Sequence, residues 1–436
     1  KGYEPYLYGR LANLVGENYD GLSYGGRIFV YNFGNPILLN ILSFMPLNLV
    51  LLILPIILGT LSLGLFYYIL KTFKTERNIR IISSLILIIS PPFLYAFTNF
   101  NYFTVPIFLI LLGFYFFIKD KTRFYILSLF ISLLLVFFSV FNVIIFLLIL
   151  FLYCIKTKRF NWFLIIFVCN LVLMLVLNYP LFKYGLPEKI GLGGYALRNL
   201  IFDLGGGYGI SLFLLFLLFF GFSKLWESKY KNSFFYVFFL LFIMLLFFSL
   251  KFVVYFNFFL CFLASLGILK ILQKGWESNL VKNLTLLFLI CGLLFSGVSF
   301  FNENVKTGPS EKLIDALTYL KNSGDEDDVV LSYYDKGYWI NSIAGRKNVL
   351  DGYFDYAPNV NERLDDVDHV FRTRSMDRAL EIIDKYNITY ILITKDMKEG
   401  LVWFRDNEGL LFLLKNNPNF FNLVYDKNDI EIWRVL

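Results

Sequence analysis

Long apolar runs, separated by short polar stretches, occupy the first 302 positions of the chain. They fall at about 47–70, 79–96, 103–118, 124–138, 141–155, 161–179, 209–223, 234–250, 252–270 and 283–302. A helix needs about 20 apolar residues to cross a bilayer core, and several of these runs approach or reach that length. The pattern predicts a polytopic α-helical membrane bundle of about ten helices. Beyond residue 303 the periodicity changes. Pro309-Ser310-Glu311 opens a helical run from Leu313 to Leu320, and Val329 to Tyr334 reads as a buried strand ending in an Asp-Lys-Gly turn. A helix near 376–386, the strand Tyr390–Ile393, a helix at 408–415 and strands at 422–425 and 430–435 complete a C-terminal α/β soluble domain. The expected division is 1–35 as a first outer loop, 36–302 as the bundle and 303–436 as the soluble domain.

Composition agrees with this division. Of 436 residues, 58% are hydrophobic and 17% charged, against about 25% charged in a soluble protein. This excludes disorder and a plain cytosolic enzyme. The net charge of +7 averages two unlike regions: residues 1–302 carry 23 Lys+Arg and 9 Asp+Glu, residues 303–436 carry 17 and 24. Sixteen of the 23 basic residues lie in alternate loops, from Lys71, Lys74, Arg77 and Arg80 to Lys270, Lys274 and Lys282. Basic loops face the cytoplasm, so the opening segment, the 180–208 loop and the tail are expected on the outer face of the cell membrane. Charges interspersed with apolar runs set orientation and give no sign of nucleic-acid binding. The four cysteines all lie in apolar runs, which gives no disulfide framework, and one histidine allows no His-based metal cluster. The opening Lys-Gly-Tyr, with neither Met nor a signal segment, suggests that a first helix precedes this sequence.

Ionisable groups are nearly absent from the apolar runs, which counts against a pump or transporter. Outer loops are therefore where chemistry is expected. In Tyr3-Glu4-Pro5-Tyr6, a carboxylate just before a helix-starting proline is placed to bind a divalent cation or act as a base. The same acid equally serves as a first-turn residue favoured by the helix dipole. In Tyr333-Tyr334-Asp335-Lys336-Gly337-Tyr338, an Asp beside two aromatics can accept hydrogen bonds from a hydroxyl or amide, or can simply end a strand. The 180–208 loop holds Glu188, Lys189, Arg198 and Gly205-Gly206-Gly207. It offers phosphate-binding groups, or flexible chain entering a helix.

Two of these segments together resemble a known family. Tyr3-Glu4-Pro5-Tyr6-Leu7-Tyr8-Gly9-Arg10 is similar to the first outer loop of oligosaccharyltransferase catalytic subunits, archaeal or bacterial, in the glycosyltransferase C superfamily. Tyr333-Tyr334-Asp335-Lys336-Gly337 resembles the W-W-D-x-G signature of the same family, with tyrosines for both tryptophans. The resemblance implies a catalytic and metal-binding role for Glu4, and an acceptor pocket of Tyr333, Tyr334, Asp335 and Gly337. Glu188 then stands in for a later loop glutamate as a second ligand of Mg²⁺ or Mn²⁺. Lys189 and Arg198 are placed to neutralise the donor phosphate. Where the family has paired carboxylates, this chain has Asn99 and Asn101, which are weaker ligands for hard cations.

The implied activity is transfer of a sugar or glycan from a polyprenyl-phosphate-linked donor in the membrane lipid to a protein or glycan acceptor outside. A catalytically degenerate membrane scaffold or glycan-binding homologue is the alternative. A transporter is the third reading, with paired broken helices as its mark.

Overall fold

A computed structural model describes residues 2–17, 19–28, 33–177, 209–227, 233–405, 407–427 and 429–436. Of these, the opening segment to Ile28 and the tail from Thr307 to Leu436 form one compact unit. Residues 33–177 and 209–306 form a second.

In the first unit, α1 (Glu4–Ala12) leads into a hairpin, β1 (Tyr19–Asp20) against β2 (Arg27–Ile28). The second unit begins with α2 (Gly34–Ile41), followed by α3 (Leu47–Thr72), α4 (Arg77–Ile89), α5 (Pro91–Thr98), α6 (Thr104–Phe117) and α7 (Thr122–Val136). It continues with α8 (Val140–Thr157), α9 (Phe160–Leu177), α10 (Leu212–Trp226), α11 (Ser233–Phe248), α12 (Phe252–Gln273) and α13 (Asn279–Lys306). Helices thus occupy all ten apolar runs. Among the described residues, α3, α8, α9, α12 and the stretch opening at Asn279 are long and apolar enough to cross a membrane.

The run 79–96, read as one helix, is two. The chain bends by 65° between α4 and α5, at Ser90. Pro91-Pro92 removes two backbone donors and forces Ser90 into an extended conformation, so no single helix can pass. This is one bent pair among the described residues; the paired breaks named for a transporter are not among them.

Helix α12 is the interior member of its unit, 72% buried over its most apolar window, whereas α9 is 17% buried. It crosses α10 at two glycines: a Cβ on Gly221 would stand 2.2 Å from the Leu263 carbonyl oxygen, and one on Gly267 would stand 2.1 Å from that of Leu217. Small residues let helix backbones approach this closely.

The tail builds a five-stranded sheet from β3 (Val329–Leu331), β4 (Lys347–Asn348), β5 (Ile388–Ile393), β6 (Phe421–Lys427) and β7 (Ile430–Val435), in the order β4-β3-β5-β7-β6. The three strands at the β4 end run parallel, and β7 pairs antiparallel with β5 and β6. Alternate residues face opposite cores. Leu331, Ile391 and Ile393 join one cluster, and Val330, Leu392 and Ile432 the other. Helix α14 (Glu311–Ser323) covers the second face. Helices α15 (Val360–Arg372), α16 (Met376–Lys385) and α17 (Gly409–Asn416) cover the first. Ser310 starts α14 by accepting the Leu313 N–H at 3.2 Å, an N-cap at the point where the helical run was expected to open.

The strand expected over 329–334 stops at Leu331, and Asp335-Lys336-Gly337 is not a turn. Tyr334 to Ala344 runs on through successive 3₁₀, α and π turns. Gly337 lies within this run because a Cβ there would stand 2.4 Å from the Leu350 carbonyl oxygen and 2.6 Å from Asp351 Cβ. Its role is close packing.

Candidate functional site

The site begins with α1. Pro5 occupies its first turn with Glu4 beside it, and Arg10 lies in its last turn. Arg10 reaches Asp20, donating to its two carboxylate oxygens at 2.6 and 2.8 Å. Asp20 is fully buried and also accepts the N–H groups of Leu22 and Ser23. This forked pair fixes the hairpin to the helix.

The hairpin is in turn bound to the tail by buried hydrogen bonds between residues more than 320 positions apart. Ser23 Oγ donates to Asp351 Oδ2 at 2.6 Å, and Tyr24 Oη donates to the Asp351 carbonyl at 2.7 Å. The Tyr24 N–H donates to Asn348 Oδ1 at 2.7 Å, and the Asn348 N–H returns to the Leu22 carbonyl at 3.1 Å. Arg27 donates to the carbonyls of Tyr353 and Asp355. Asp351 is 1% exposed, and its burial pushes its carboxyl above the usual carboxylate range despite the Ser23 hydroxyl and the Tyr353 N–H. Nothing in the sequence around Asp351 distinguishes it from a turn residue, because every partner from the hairpin is remote.

Consequently the two sequence motifs meet. Leu7 and Leu11 of α1 pack on Tyr338, and Tyr3 stacks on its ring with centroids 4.8 Å apart and planes within 10°. Glu4 is half-buried beside them. Burial raises the Tyr338 phenol well above its ordinary range, and the charges of Asp351 and Glu4 add to this. The phenol therefore stays protonated. Tyr338 lies three residues beyond Asp335.

Around Asp335, the Tyr333 and Tyr334 rings stand 4.6 Å apart and Tyr334 meets Phe354 at 5.7 Å. Lys336 is buried. It donates to Asp335 Oδ2 at 3.0 Å and to Asp396 Oδ2 at 2.6 Å, and lies over the Trp339 ring. Burial raises the Asp335 carboxyl and nearby Asp396 adds to the shift, while Lys336 opposes it. The other oxygen, Oδ1, is buried with no hydrogen-bond partner among the described residues. One oxygen is held by Lys336, and the other is enclosed without a partner among the described residues. Lys336 and Asp396 escaped sequence reasoning, since a lysine one position from Asp335 and an aspartate 61 positions on carry no spacing signal.

Glu188, Lys189 and Arg198 lie outside the described residues. Asn101 has its Oδ1 engaged by the Phe103 N–H at 2.8 Å and its Nδ2 by the Tyr95 carbonyl at 2.6 Å, which makes it a local brace between α5 and α6. Among the described residues no group of three or more His, Cys, Asp or Glu side chains is placed to hold a metal ion.

No family model matches the chain, and no curated protein matches it by sequence. Solved structures do match by fold. The chain is similar to the Archaeoglobus fulgidus oligosaccharyltransferase tethered to an acceptor peptide containing the NVT sequon, at 13% identity and TM-score 0.64, over 91% of this chain and 65% of that one. The oligosaccharyltransferase AglB of that organism, in complex with an inhibitory peptide and a dolichol-phosphate, matches at 13% identity and TM-score 0.53, over 90% and 66%. An Archaeoglobus fulgidus oligosaccharyltransferase in complex with Zn and sulfate matches at 14% identity and TM-score 0.55, over 96% and 67%. The chain thus has an oligosaccharyltransferase-like fold and spans about two thirds of the length of these structures.

Proposed function

We propose that this chain is a multi-pass membrane glycosyltransferase that moves a sugar or glycan from a lipid-phosphate donor to a protein or glycan acceptor on the outer face, where the tail lies. The observation that carries the reading is a juxtaposition inside an oligosaccharyltransferase-like fold: the helix bearing Glu4 packs on Tyr338, three residues from an Asp335 that keeps one acceptor oxygen unused. The neighbours' acceptor peptide and dolichol-phosphate support the two substrate classes.

In this mechanism the Asp335 Oδ1 accepts a hydrogen bond from the acceptor, and the Tyr333 and Tyr334 rings form the apolar wall beside it. Lys336 holds the carboxylate in place. Glu4 positions the acceptor's nucleophilic nitrogen or oxygen and takes its proton as the new bond to the anomeric carbon forms. The bond from that carbon to the lipid phosphate breaks, and the phosphate leaves with the electron pair. Lys189 and Arg198 are assigned to the donor phosphate. The reading includes Mg²⁺ or Mn²⁺ at Glu4 and Glu188, and no step is assigned to the ion.

Glu4→Gln keeps the shape and removes the base. In proteoliposomes with a polyprenyl-phosphate-linked glycan and an acceptor peptide, transfer by this variant should fall about 10²–10⁴-fold, the usual worth of a positioned base. Its thermal unfolding should stay nearly unchanged, since a first-turn acid contributes about 0.3–1 kcal/mol. Undiminished transfer by Glu4→Gln removes Glu4 from the mechanism. Absence of transfer from the unaltered protein with every donor tried would establish the degenerate scaffold instead.

A further inference from the structure

The sequence contains two Asn-x-Thr triplets, Asn283-Leu284-Thr285 and Asn387-Ile388-Thr389. This triplet is the acceptor signature for N-glycosylation wherever it is surface-exposed on the outer side of a membrane. We propose that Asn387 is itself a glycan acceptor, modified before the tail has folded. The inference rests on the outward placement of the tail in the reading above, and it makes a chain of this kind one of the substrates.

Asn387 sits between α16 and β5, exposed, with φ of +50° and its N–H on the Asp384 carbonyl at 3.2 Å. Asparagine is among the few residues that enter this left-handed region readily. The next two residues are built into the sheet. Ile388 is 3% exposed in the core. Thr389 occupies an irregularity in pairing, because Val329 is opposite Ile388 while Val330 is opposite Tyr390. Its hydroxyl fills the gap, accepting from the Val329 N–H at 3.0 Å and donating to the Val329 carbonyl at 3.2 Å.

Two consequences follow from this geometry. The finished fold accommodates a glycan, since the asparagine side chain is exposed while its neighbours hold the strand. The finished fold is also a poor acceptor, since the threonine hydroxyl is already committed to β3 and cannot serve a transferase pocket. Transfer therefore precedes β3–β5 pairing, on extended chain. The bond formed joins Asn387 Nδ2 to the anomeric carbon of a lipid-phosphate-linked glycan. The anomeric carbon–oxygen bond to that phosphate breaks, the phosphate keeps the electron pair, and the amide proton passes to a carboxylate base. Asn283 lies in the first turns of α13 beside Lys282, at the basic end of that helix, and on the proposed orientation it never meets the donor.

The test is mass spectrometry of peptides from the full chain, purified from the cells that make it. The Asn387 peptide should carry a glycan and the Asn283 peptide should not. Asn387→Asp should abolish the modification while leaving thermal unfolding unchanged, as Asp tolerates the same φ. Thr389→Ser should retain it. A synthetic peptide spanning 384–393 should accept glycan in proteoliposomes, whereas folded, unmodified protein should gain none. An unmodified Asn387, or a glycan on Asn283 in its place, overturns the inference. Measuring Asn387 occupancy and transfer to the synthetic peptide on the same unaltered protein separates the two claims: activity with Asn387 bare sinks only this site, and an occupied Asn387 on an inactive protein sinks only the proposed function.

Discussion

The two units of the molecule use polar groups in opposite ways. In the helical unit backbone groups are satisfied within each helix, and contacts between helices are mostly aromatic and aliphatic, such as Phe141 on Phe252 at 4.7 Å. A few single hydrogen bonds cross between helices there, including Asn170 to Ser132 at 2.8 Å and Asn257 to Ser90 at 2.7 Å. The other unit joins two distant parts of the chain through a buried network that includes Asp20, Ser23, Arg27, Asn348 and Asp351. Polar groups in that network have no apolar substitute, because each satisfies another that is also buried. The helical unit should tolerate loss of one polar contact, and the other unit should not.

The largest expected effect is therefore at Asp20. Asp20→Ala leaves Arg10, whose side chain is 10% exposed, without its forked carboxylate. Breaking a buried pair on one side costs about 3–5 kcal/mol. Chemical unfolding followed by protease sensitivity of the hairpin should show this loss. A cost below about 1 kcal/mol would mean that water replaces the carboxylate and that the network is looser than its geometry.

Next comes pH. Asp351 has its carboxyl raised by burial, so the folded state holds that proton more tightly than the unfolded chain does. Between the ordinary carboxylate pKa and the raised folded value, the folded state binds more protons, and stability falls as pH rises through that window. The slope is at most about 1.4 kcal/mol per pH unit for one group. Asp351→Asn removes the titration, so the difference between the two unfolding profiles isolates this carboxyl from Asp335, which shifts in the same direction. Superimposable slopes would show that the network charges no differently on folding.

The same contrast explains what could be read in advance. Helix positions in the second unit follow from local composition: the run at 47–70 is Leu47–Thr72 and the run at 252–270 is Phe252–Gln273. The break at Ser90 is encoded by Pro91-Pro92, but an apolar run does not show it, because hydropathy averages over a proline pair. In the tail, Ile388–Ile393 and Ile430–Val435 stand out as apolar runs, whereas helix Val360–Arg372 carries Val360, Leu364, Val367 and Phe371 at helical spacing but among so many Asp and Glu that no apolar run marks it. Glu4 and Asp335 stood out by residue type, but their placement in one unit depends on Ser23 meeting Asp351, 328 positions away. No local pattern encodes that pairing. Lys336 holds Asp335 only because Asp396, delivered by the turn after β5, completes its bonds.

The smallest expected effect tests the other side of the comparison. Asn257 of α12 donates to Ser90 Oγ at 2.7 Å, at the point where α4 and α5 bend apart, and Ser90 Oγ in turn donates to the Leu87 carbonyl at 2.6 Å. Hydrogen bonds between membrane helices average about 0.6 kcal/mol, with a maximum near 1.7, because the unfolded state in lipid also finds partners. Asn257→Ala should therefore cost about 0.6 kcal/mol in a detergent or bilayer unfolding assay, several-fold less than Asp20→Ala. It should leave the bend in place, since Pro91-Pro92 forbids a continuous helix with or without Asn257. A cost matching that of Asp20→Ala would break the comparison. It would show that the helical unit also hangs on a buried polar contact, and that the bend at Ser90 is held by α12 as much as by the prolines.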